Sequence, residues 1–264
     1  MSEALLHLDA VSKVFPISGG ESVQAVDHVT FDVEENRICV LLGPSGCGKS
    51  TILRMIAGLE APSDGAVTLH GKPVIGPARD RGMVFQAYTS FDWLSVRRNV
   101  EFGMKVNGVP HAERRERAAH FIDLVGLTKF AEAYPSQLSG GMRQRVAIAR
   151  TLANGPELLL MDEPFGALDA ETRWHMQELM IDIARQENTT MVIVTHDIEE
   201  AIFLADKIIF LSSHPGRLKE VIVPEFKHGA RIDDKEHIVQ LPGYAELEQK
   251  IMRLMREEGS REEQ

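Results

Sequence analysis

Residues 43–51 read Gly43-Pro44-Ser45-Gly46-Cys47-Gly48-Lys49-Ser50-Thr51, with the Gly-x-x-x-x-Gly-Lys-Ser spacing of a phosphate-binding loop. The apolar run 38–42 before this loop predicts a buried parallel strand, and the apolar spacing after it predicts a helix. Backbone N–H groups can then surround phosphate oxygens at the start of that helix. Lys49 is placed to reach the β- and γ-phosphates, and the Ser50 hydroxyl is placed to ligate Mg²⁺. The stretch therefore predicts a nucleotide site.

Length and composition restrict the classes of protein that this chain fits. Its 264 residues, 44% of them hydrophobic, suffice for one large domain or two joined ones. No apolar run reaches the ~18 residues that span a bilayer, and no basic signal peptide begins the chain, so we expect a soluble protein inside the cell. The two cysteines, Cys39 and Cys47, are then expected to be reduced thiols. A net charge of −10 argues against a general nucleic-acid binder.

The segment before the phosphate loop has the alternating pattern of β-strands. Residues 4 to about 34 predict antiparallel strands, with Phe15 in the turn between them. An aromatic ring at that turn is able to stack on adenine, because a base offers a π-face. The same residue also fits an ordinary place in the core, and the pattern leaves both interpretations open.

Two carboxylates follow an apolar strand further along the chain. The strand 157–161 runs into Asp162 and Glu163 before Pro164. Asp162 suits Mg²⁺, and Glu163 is placed to polarise a water molecule.

Polar side chains also follow two other predicted strands. The strand 81–85 ends at Gln86, and the strand 190–195 ends at His196. Ligands bind at the carboxyl edge of parallel sheets, where all these residues are expected to meet. The Gln86 amide is able to ligate Mg²⁺ or hold the attacking water, and His196 is a candidate contact for the γ-phosphate.

A helical segment from about residue 95 to 150 interrupts the β pattern. Helices are predicted over 97–106 and 112–125, and the segment ends in Leu138-Ser139-Gly140-Gly141-Met142-Arg143-Gln144-Arg145. Ser139 and the two glycines predict a further helix N-terminus with open backbone donors. The chain thus carries a second surface for an anion.

Aromatic residues crowd the stretch between Gln86 and this helical segment. Tyr88, Phe91 and Trp93 lie there in a chain with only 6% aromatic residues. They form either a small satellite core or an exposed docking patch, and the sequence favours neither.

The order of these motifs resembles the ATP-binding subunits of ABC transporters over about residues 4–225. The phosphate loop, Gln86, the 138–141 segment, the acidic pair, Ala167-Leu168-Asp169 and His196 follow one another as in that family. Three strings, at 162–169, 200–206 and 214–217, are similar to the branch that imports nitrate, sulfonate, taurine and bicarbonate. The stretch 87–93 departs from that branch because it lacks a Leu-Pro-Trp string often found there.

The resemblance implies an α/β fold of the P-loop NTPase type. A mainly parallel core sheet, an antiparallel β subdomain and an inserted helical subdomain at about 95–150 make up the ATP-binding domain, 4–225. The remaining residues, 226–264, are predicted to be a C-terminal extension with one helix, because apolar residues recur on one face between 242 and 258.

The resemblance also implies roles for the site residues. Each ATP is expected between the loop 43–51 of one subunit and the 139–141 segment of a second copy, in a head-to-tail dimer. The implied roles are general base for Glu163, γ-phosphate sensor for His196, charge stabiliser for Lys49, Mg²⁺ ligands for Ser50, Gln86 and Asp162, and cross-subunit contact for Asp169.

The partners implied are integral membrane subunits that dock near Tyr88, Phe91 and Trp93, and indirectly a substrate-binding protein. The chain would work on the cytoplasmic face of the membrane as a peripheral subunit and hydrolyse ATP to take up a small anion, with no nucleic acid involved. Two alternatives remain: the ATPase of a lipid-transport or export system, and a soluble ABC ATPase that acts on nucleic acids.

Overall fold

The computed structural model of the protein describes residues 4–17, 19–87 and 89–262. Its strands are β1 Ala4–Pro16, β2 Ser22–Glu34, β3 Ile38–Leu42, β4 Asp64–Leu69, β5 Lys72–Pro73, β6 Arg81–Val84, β7 Leu158–Asp162, β8 Thr190–Thr195, β9 Lys207–Leu211 and β10 Leu218–Ile222. Its α-helices are α1 Lys49–Ile56, α2 Val96–Val106, α3 His111–Leu124, α4 Gly140–Ala153, α5 Ala170–Gln186, α6 Ile198–Leu204, α7 Lys235–Ile238 and α8 Tyr244–Glu262.

The core sheet has six strands in the order β10-β9-β3-β8-β7-β6. All neighbours from β9 to β6 are parallel, and β10 pairs antiparallel with β9 at one edge. Every residue of β3, β7 and β8 is buried, which explains why these strands are continuous apolar runs in the sequence. The carboxyl ends of β3, β8, β7 and β6 therefore lie along one edge.

A second sheet, ordered β2-β1-β4-β5, is antiparallel and packs over helix α1. Alternate residues of the central strands point to opposite sides of the core sheet. On β3, Cys39 and Leu41 join the core that α1 shares with the antiparallel sheet, whereas Val40 joins the core formed with the other helices. Helix α1 is thus held between two sheets, which fixes the loop that precedes it.

Helices α2, α3 and α4 are inserted between β6 and β7 and pack on one another. The buried faces of α2 and α3 contribute Val100, Met104, Phe121 and Ile122 to the larger core. The predicted combination of parallel core sheet, antiparallel sheet and helical insertion is confirmed.

The residues after β10 contain more structure than the single helix that the sequence predicts. A 3₁₀ turn at Glu225–Lys227 and the four-residue helix α7 precede α8, which packs against α6. Helix α7 buries only Ile238, so it leaves no apolar periodicity that a sequence pattern can reveal. None of the helices in the described ranges is long and apolar enough to cross a membrane.

Candidate nucleotide site

The loop between β3 and α1 has the geometry that its glycines predict. Gly48 caps α1 in the left-handed conformation, with φ of 85°. A Cβ added to Gly48 would lie 2.8 Å from the Ala25 carbonyl oxygen, so a larger residue would displace β2. The loop is therefore closely seated against the antiparallel sheet.

Lys49 points into this loop and is buried. Its Nζ donates to the carbonyl oxygens of Gly43 and Pro44, both at 2.7 Å, and lies 3.6 Å from the Cys47 Sγ. An anionic phosphate oxygen is a stronger acceptor for an ammonium than a neutral carbonyl. The lysine is thus held at the place where it can exchange these bonds for phosphate contacts.

Both cysteines are free and buried, as the sequence analysis expects. Burial raises the pKa of the Cys39 thiol to about 12 and also raises the pKa of Cys47. Cys47 therefore contributes to the loop as a neutral thiol.

The acidic pair lies at the end of β7, beside the phosphate loop. Asp162 is 7% exposed, and its Oδ1 accepts a 2.8 Å hydrogen bond from the Ser50 Oγ. Within the described residues, no group of three or more His, Cys, Asp or Glu side chains is arranged to hold a metal ion. A Mg²⁺ ion held by this hydroxyl and carboxylate would therefore complete its shell with phosphate and water oxygens.

The Glu163 side chain follows β7 and contacts side chains that follow the two neighbouring strands, β6 and β8. Its Oε2 accepts from the Gln86 Nε2 and its Oε1 contacts the His196 Nδ1, both at 3.2 Å. The residue has φ of 44°, an unusual conformation for glutamate, and its N–H donates to the Val194 carbonyl of β8. The Glu163 side chain is only a quarter exposed, so its carboxylate is fixed yet open to a water molecule.

Gln86 faces Glu163 in this structure, whereas Ser50 and Asp162 contact each other. The first contact favours a role for Gln86 beside the attacking water. Its role as a Mg²⁺ ligand remains a prediction.

A buried carboxyl group lies one helical turn beyond His196. Asp197 caps α6, and Glu200 in that helix accepts from the Gln177 Nε2 at 3.2 Å. Burial, reinforced by the like charge of Asp197, raises the pKa of Glu200 to about 7. Because Glu200 binds its proton more tightly in the folded chain than in the unfolded chain, it contributes to stability fully at a pH below its unfolded-state pKa of 4.5. This contribution is lost as the pH rises through the folded-state pKa of about 7.

We therefore expect Glu200→Gln to stabilise the protein at pH 8 more than at pH 5. The free energy of unfolding of the variant relative to wild type should increase by on the order of 2 kcal/mol between these pH values. For a chain of this length, that corresponds to about 4 °C in the difference between the two melting temperatures, measurable by scanning fluorimetry. Glu199→Gln, on an exposed neighbour, is the control; an equal response there would contradict the prediction.

The second predicted anion surface is present as the start of α4. Ser139 caps this helix by accepting from the Met142 N–H, so the N–H groups of Gly140 and Gly141 lie at its first turn. A Cβ on Gly141 would lie 2.4 Å from the Thr172 Cγ2, which explains the glycine. No hydrogen bond or ion pair in the described part of the chain joins this surface to the loop 43–51.

Asp169 caps α5 next to this surface. Its Oδ1 accepts from the Thr172 N–H at 3.0 Å, and this hydrogen bond lowers the pKa of the Asp169 carboxyl. The carboxylate is thereby fixed at a helix start and ionised at neutral pH.

The aromatic stretch combines a small cluster of packed rings with one exposed ring. The Phe91 ring packs at a tilt against Trp93 and Phe102, with ring centroids 5.2 and 4.5 Å apart, and the three form a small cluster. Trp93 itself is 71% exposed, so its outer face is available to a partner. Tyr88 lies outside the described residues.

Arg150, near the end of α4, anchors the aromatic stretch and was missed by the sequence analysis. Its guanidinium donates to the carbonyl and hydroxyl of Thr89, each at 2.6 Å, and lies 5.1 Å from the Phe91 ring centroid. Burial lowers the pKa of Arg150. Nothing in the sequence distinguishes this arginine from others in the same helix, because its partners lie about 60 residues away.

Phe15 lies in strand β1, not in a turn as the sequence analysis predicts. It pairs with Val23 of β2, and the Lys13 Nζ lies 5.0 Å from its ring centroid. Strand β1 ends at Pro16, so the turn of this hairpin follows Phe15 instead of containing it. The ring is partly buried, and adenine stacking by Phe15 remains a prediction.

Comparisons with known proteins point to one family. A family model described as ABC transporter matches residues 26–166. The nitrate import ATP-binding protein NrtD of Synechocystis sp. is 49% identical over 214 residues, which are 81% of this chain and 80% of that protein. The taurine import ATP-binding protein TauB of Rhizobium johnstonii is 46% identical over 252 residues, or 95% of this chain and 96% of that protein.

A solved structure has a similar fold. The ATP-binding cassette MJ0796, a dimer in a post-hydrolysis state bound to ADP and Pi, aligns with a TM-score of 0.72 and 33% identity. The alignment covers 83% of this chain and 98% of that one. The fold predicted from the phosphate loop and the motifs after it is thereby confirmed.

Proposed function

Because this chain belongs to the ABC transporter family and is the ATP-hydrolysing subunit of such a transporter, we propose that it drives import of a small anion of the nitrate, sulfonate or taurine class. Similarity to the nitrate and taurine import proteins supports this choice, and so do the strings at 162–169, 200–206 and 214–217. The ATPase does not itself select the anion; that choice belongs to the membrane and binding subunits.

The observation that supports the hydrolytic role most strongly is the convergence of Gln86 and His196 on Glu163. In the proposed step, a water oxygen bonds to the γ-phosphorus while its proton passes to the Glu163 carboxylate. The bond from the γ-phosphorus to the bridging oxygen breaks, and ADP leaves with that electron pair. His196 and Lys49 contact the γ-phosphate and stabilise its charge.

Mg²⁺ is the cofactor that this donor set fits. Ser50 and Asp162 would hold it, with Gln86 as the third proposed ligand. Bound there, the ion neutralises charge on the phosphates.

We also propose that two copies enclose each ATP head to tail. The start of α4 offers open N–H groups but does not contact the loop 43–51 through hydrogen bonds within the described chain. A second copy can supply Ser139, Gly140 and Gly141 to the γ-phosphate, with Asp169 as a contact across the interface. ATP then stabilises the closed dimer by mass action, and its hydrolysis releases the dimer.

The membrane partner is proposed to dock on the aromatic stretch. Trp93 is exposed on the cluster that Phe91 anchors, and a cavity of about 400 Å³ lies beside it, lined by Phe102 and Arg150 among others. This surface follows Gln86 along the chain, so docking and the hydrolytic site share one segment. The protein would thus work as a peripheral subunit on the cytoplasmic face of the membrane, and a substrate-binding protein would act through the permease.

The test is a mild-detergent purification of tagged Glu163→Gln protein with Mg-ATP from membranes of its own organism. We expect a polytopic permease to be recovered, identified by mass spectrometry, and Trp93→Ala in the same background to lower its recovery at least about tenfold, as loss of a central aromatic anchor does. Phe130→Ala, which also removes an exposed aromatic ring, is the matched control.

Three other outcomes would contradict parts of the proposal. Recovery of nucleic acid or of soluble proteins alone would exclude the transport role. Recovery of a lipid-transport or export permease would exclude anion import, and equal recovery with Trp93→Ala would exclude the docking surface.

A further inference from the structure

The phosphate loop rests on a turn that the hydrolytic mechanism does not use. Residues 212–217, here called the backing turn, connect β9 to β10. The Gly216 N–H donates to the Ala25 carbonyl at 3.0 Å, and its carbonyl accepts from the Asp27 N–H at 2.9 Å. A Cβ on Gly216 would lie 2.0 Å from the Cys47 carbonyl oxygen, so the turn is in direct contact with the loop.

The backing turn is closed by hydrogen bonds between its first and last residues. The Ser212 N–H donates to the Arg217 carbonyl at 2.9 Å, and the Arg217 N–H donates to the Ser212 hydroxyl at 3.1 Å. Arg217 also donates to the Asp27 carboxylate at 2.6 Å, which ties the turn to β2. These hydrogen bonds link the Ser212 end of the turn to the end that carries Gly216.

The end of the turn opposite Gly216 is held by the C-terminal helix. Glu258 of α8 has a fully buried side chain, and its Oε2 accepts from the N–H and the hydroxyl of Ser213, at 2.8 and 3.0 Å. Its Oε1 accepts from the Lys219 Nζ at 2.7 Å. One carboxylate thus joins the last helix of the chain to the backing turn.

The charge of this carboxylate is maintained by its partners. Burial alone would raise the pKa of Glu258, but hydrogen bonds from Lys219 and Ser213 outweigh it and lower that pKa. A buried carboxylate is stabilised by all of its hydrogen-bond donors together. Losing any one of them is costly, because part of the buried negative charge then has no partner.

We propose that Glu258 is a positioning residue for nucleotide binding, through which α8 sets the backing turn and hence the phosphate loop. The path runs from Glu258 to Ser213, along the backing turn to Gly216, and to the Cys47 carbonyl in the loop. The inference rests on the proposed phosphate site at residues 43–51. It gives the C-terminal extension a part in ATP binding, although the helix lies outside the region that the family model matches.

The experiment compares full-length wild type with Glu258→Gln, which keeps the shape and removes the charge. Dissociation constants for Mg-ATP and Mg-ADP are measured by calorimetry, with KM, kcat and the melting temperature of the nucleotide-free protein. We expect both dissociation constants and KM to rise about threefold to tenfold, with kcat at saturating ATP within twofold of wild type. Both nucleotides should respond because the loop holds the phosphates that they share.

Glu257→Gln is the matched control, because Glu257 is adjacent, exposed and bonded to the same Lys219 Nζ but not to the backing turn. Its nucleotide affinity should equal that of wild type. Ser213→Ala should raise the dissociation constants less than Glu258→Gln, and the double variant should add little to Glu258→Gln alone, since both act through one contact.

Nucleotide affinity within 1.5-fold of wild type in Glu258→Gln, even with a lower melting temperature, would overturn the inference and leave α8 a purely structural element. If Glu258→Gln does not fold, wild-type affinity in Ser213→Ala overturns it instead. Lys49→Ala in the same assay keeps the two proposals distinct: undiminished binding there contradicts the phosphate site itself.

Discussion

Glu163→Gln is expected to lower ATP turnover by roughly 10²- to 10⁴-fold while ATP binding stays intact, because the amide cannot accept the proton of the attacking water. The substitution is close in shape, so the contacts with Gln86 and His196 can be kept in part. Turnover is measured by phosphate release at saturating Mg-ATP, and affinity by calorimetry. The two measurements together separate loss of the base from loss of the site.

Glu157→Gln is the control for this variant. Glu157 directly precedes β7, the strand whose other end carries Glu163, and its exposed side chain accepts from His70. The substitution Glu157→Gln should leave ATP turnover unchanged. Wild-type turnover in Glu163→Gln would remove the general-base role, and loss of ATP binding would show that Glu163 acts in holding the nucleotide.

The same variant tests the proposed dimer. If ATP closes two copies and only hydrolysis opens them, Glu163→Gln should accumulate as a dimer with Mg-ATP and return to the monomer with Mg-ADP. Light scattering coupled to size exclusion distinguishes these states. A monomer under both conditions would contradict the head-to-tail arrangement.

Much of the fold follows from the sequence because the central strands are buried on both faces. Such strands are continuous apolar runs, as at 38–42 and 190–195, and their ends are marked by the change to Gly43 and His196. Parallel strands share one carboxyl edge, so the location of Gln86, Asp162 and His196 along that edge could be anticipated from the sequence. The phosphate-binding loop 43–51 could be identified from its residue spacing alone.

What the sequence could not give depends on contacts between distant residues. Ser213 and Glu258 are 45 residues apart, and neither belongs to a pattern that implies the other. The contact of Gln86 with Glu163 is decided by side-chain rotamers at two strand ends, which periodicity does not address. Helix α7 is too short for an apolar face, so only the packing of Ile238 marks it.

The second large effect is expected at Lys49, where removal of the ammonium should weaken Mg-ATP binding at least about tenfold. Charge-assisted hydrogen bonds contribute about 1.5 to 3 kcal/mol each, and one such bond lost is already sufficient. Lys49→Ala is measured by calorimetry against Lys72→Ala, which removes an exposed lysine from the small strand β5. Unchanged affinity in Lys49→Ala would exclude the loop as the phosphate site.

The structure adds a second variant, because Lys49 also donates to the carbonyls of Gly43 and Pro44 and so shapes the loop itself. Lys49→Met keeps an apolar stem in this buried position but carries no charge. If charge is the cause, Lys49→Met and Lys49→Ala weaken Mg-ATP equally. Affinity for AMP, which lacks the β- and γ-phosphates, should then change little in either variant. Recovery of ATP affinity in Lys49→Met would instead assign the effect to packing within the loop.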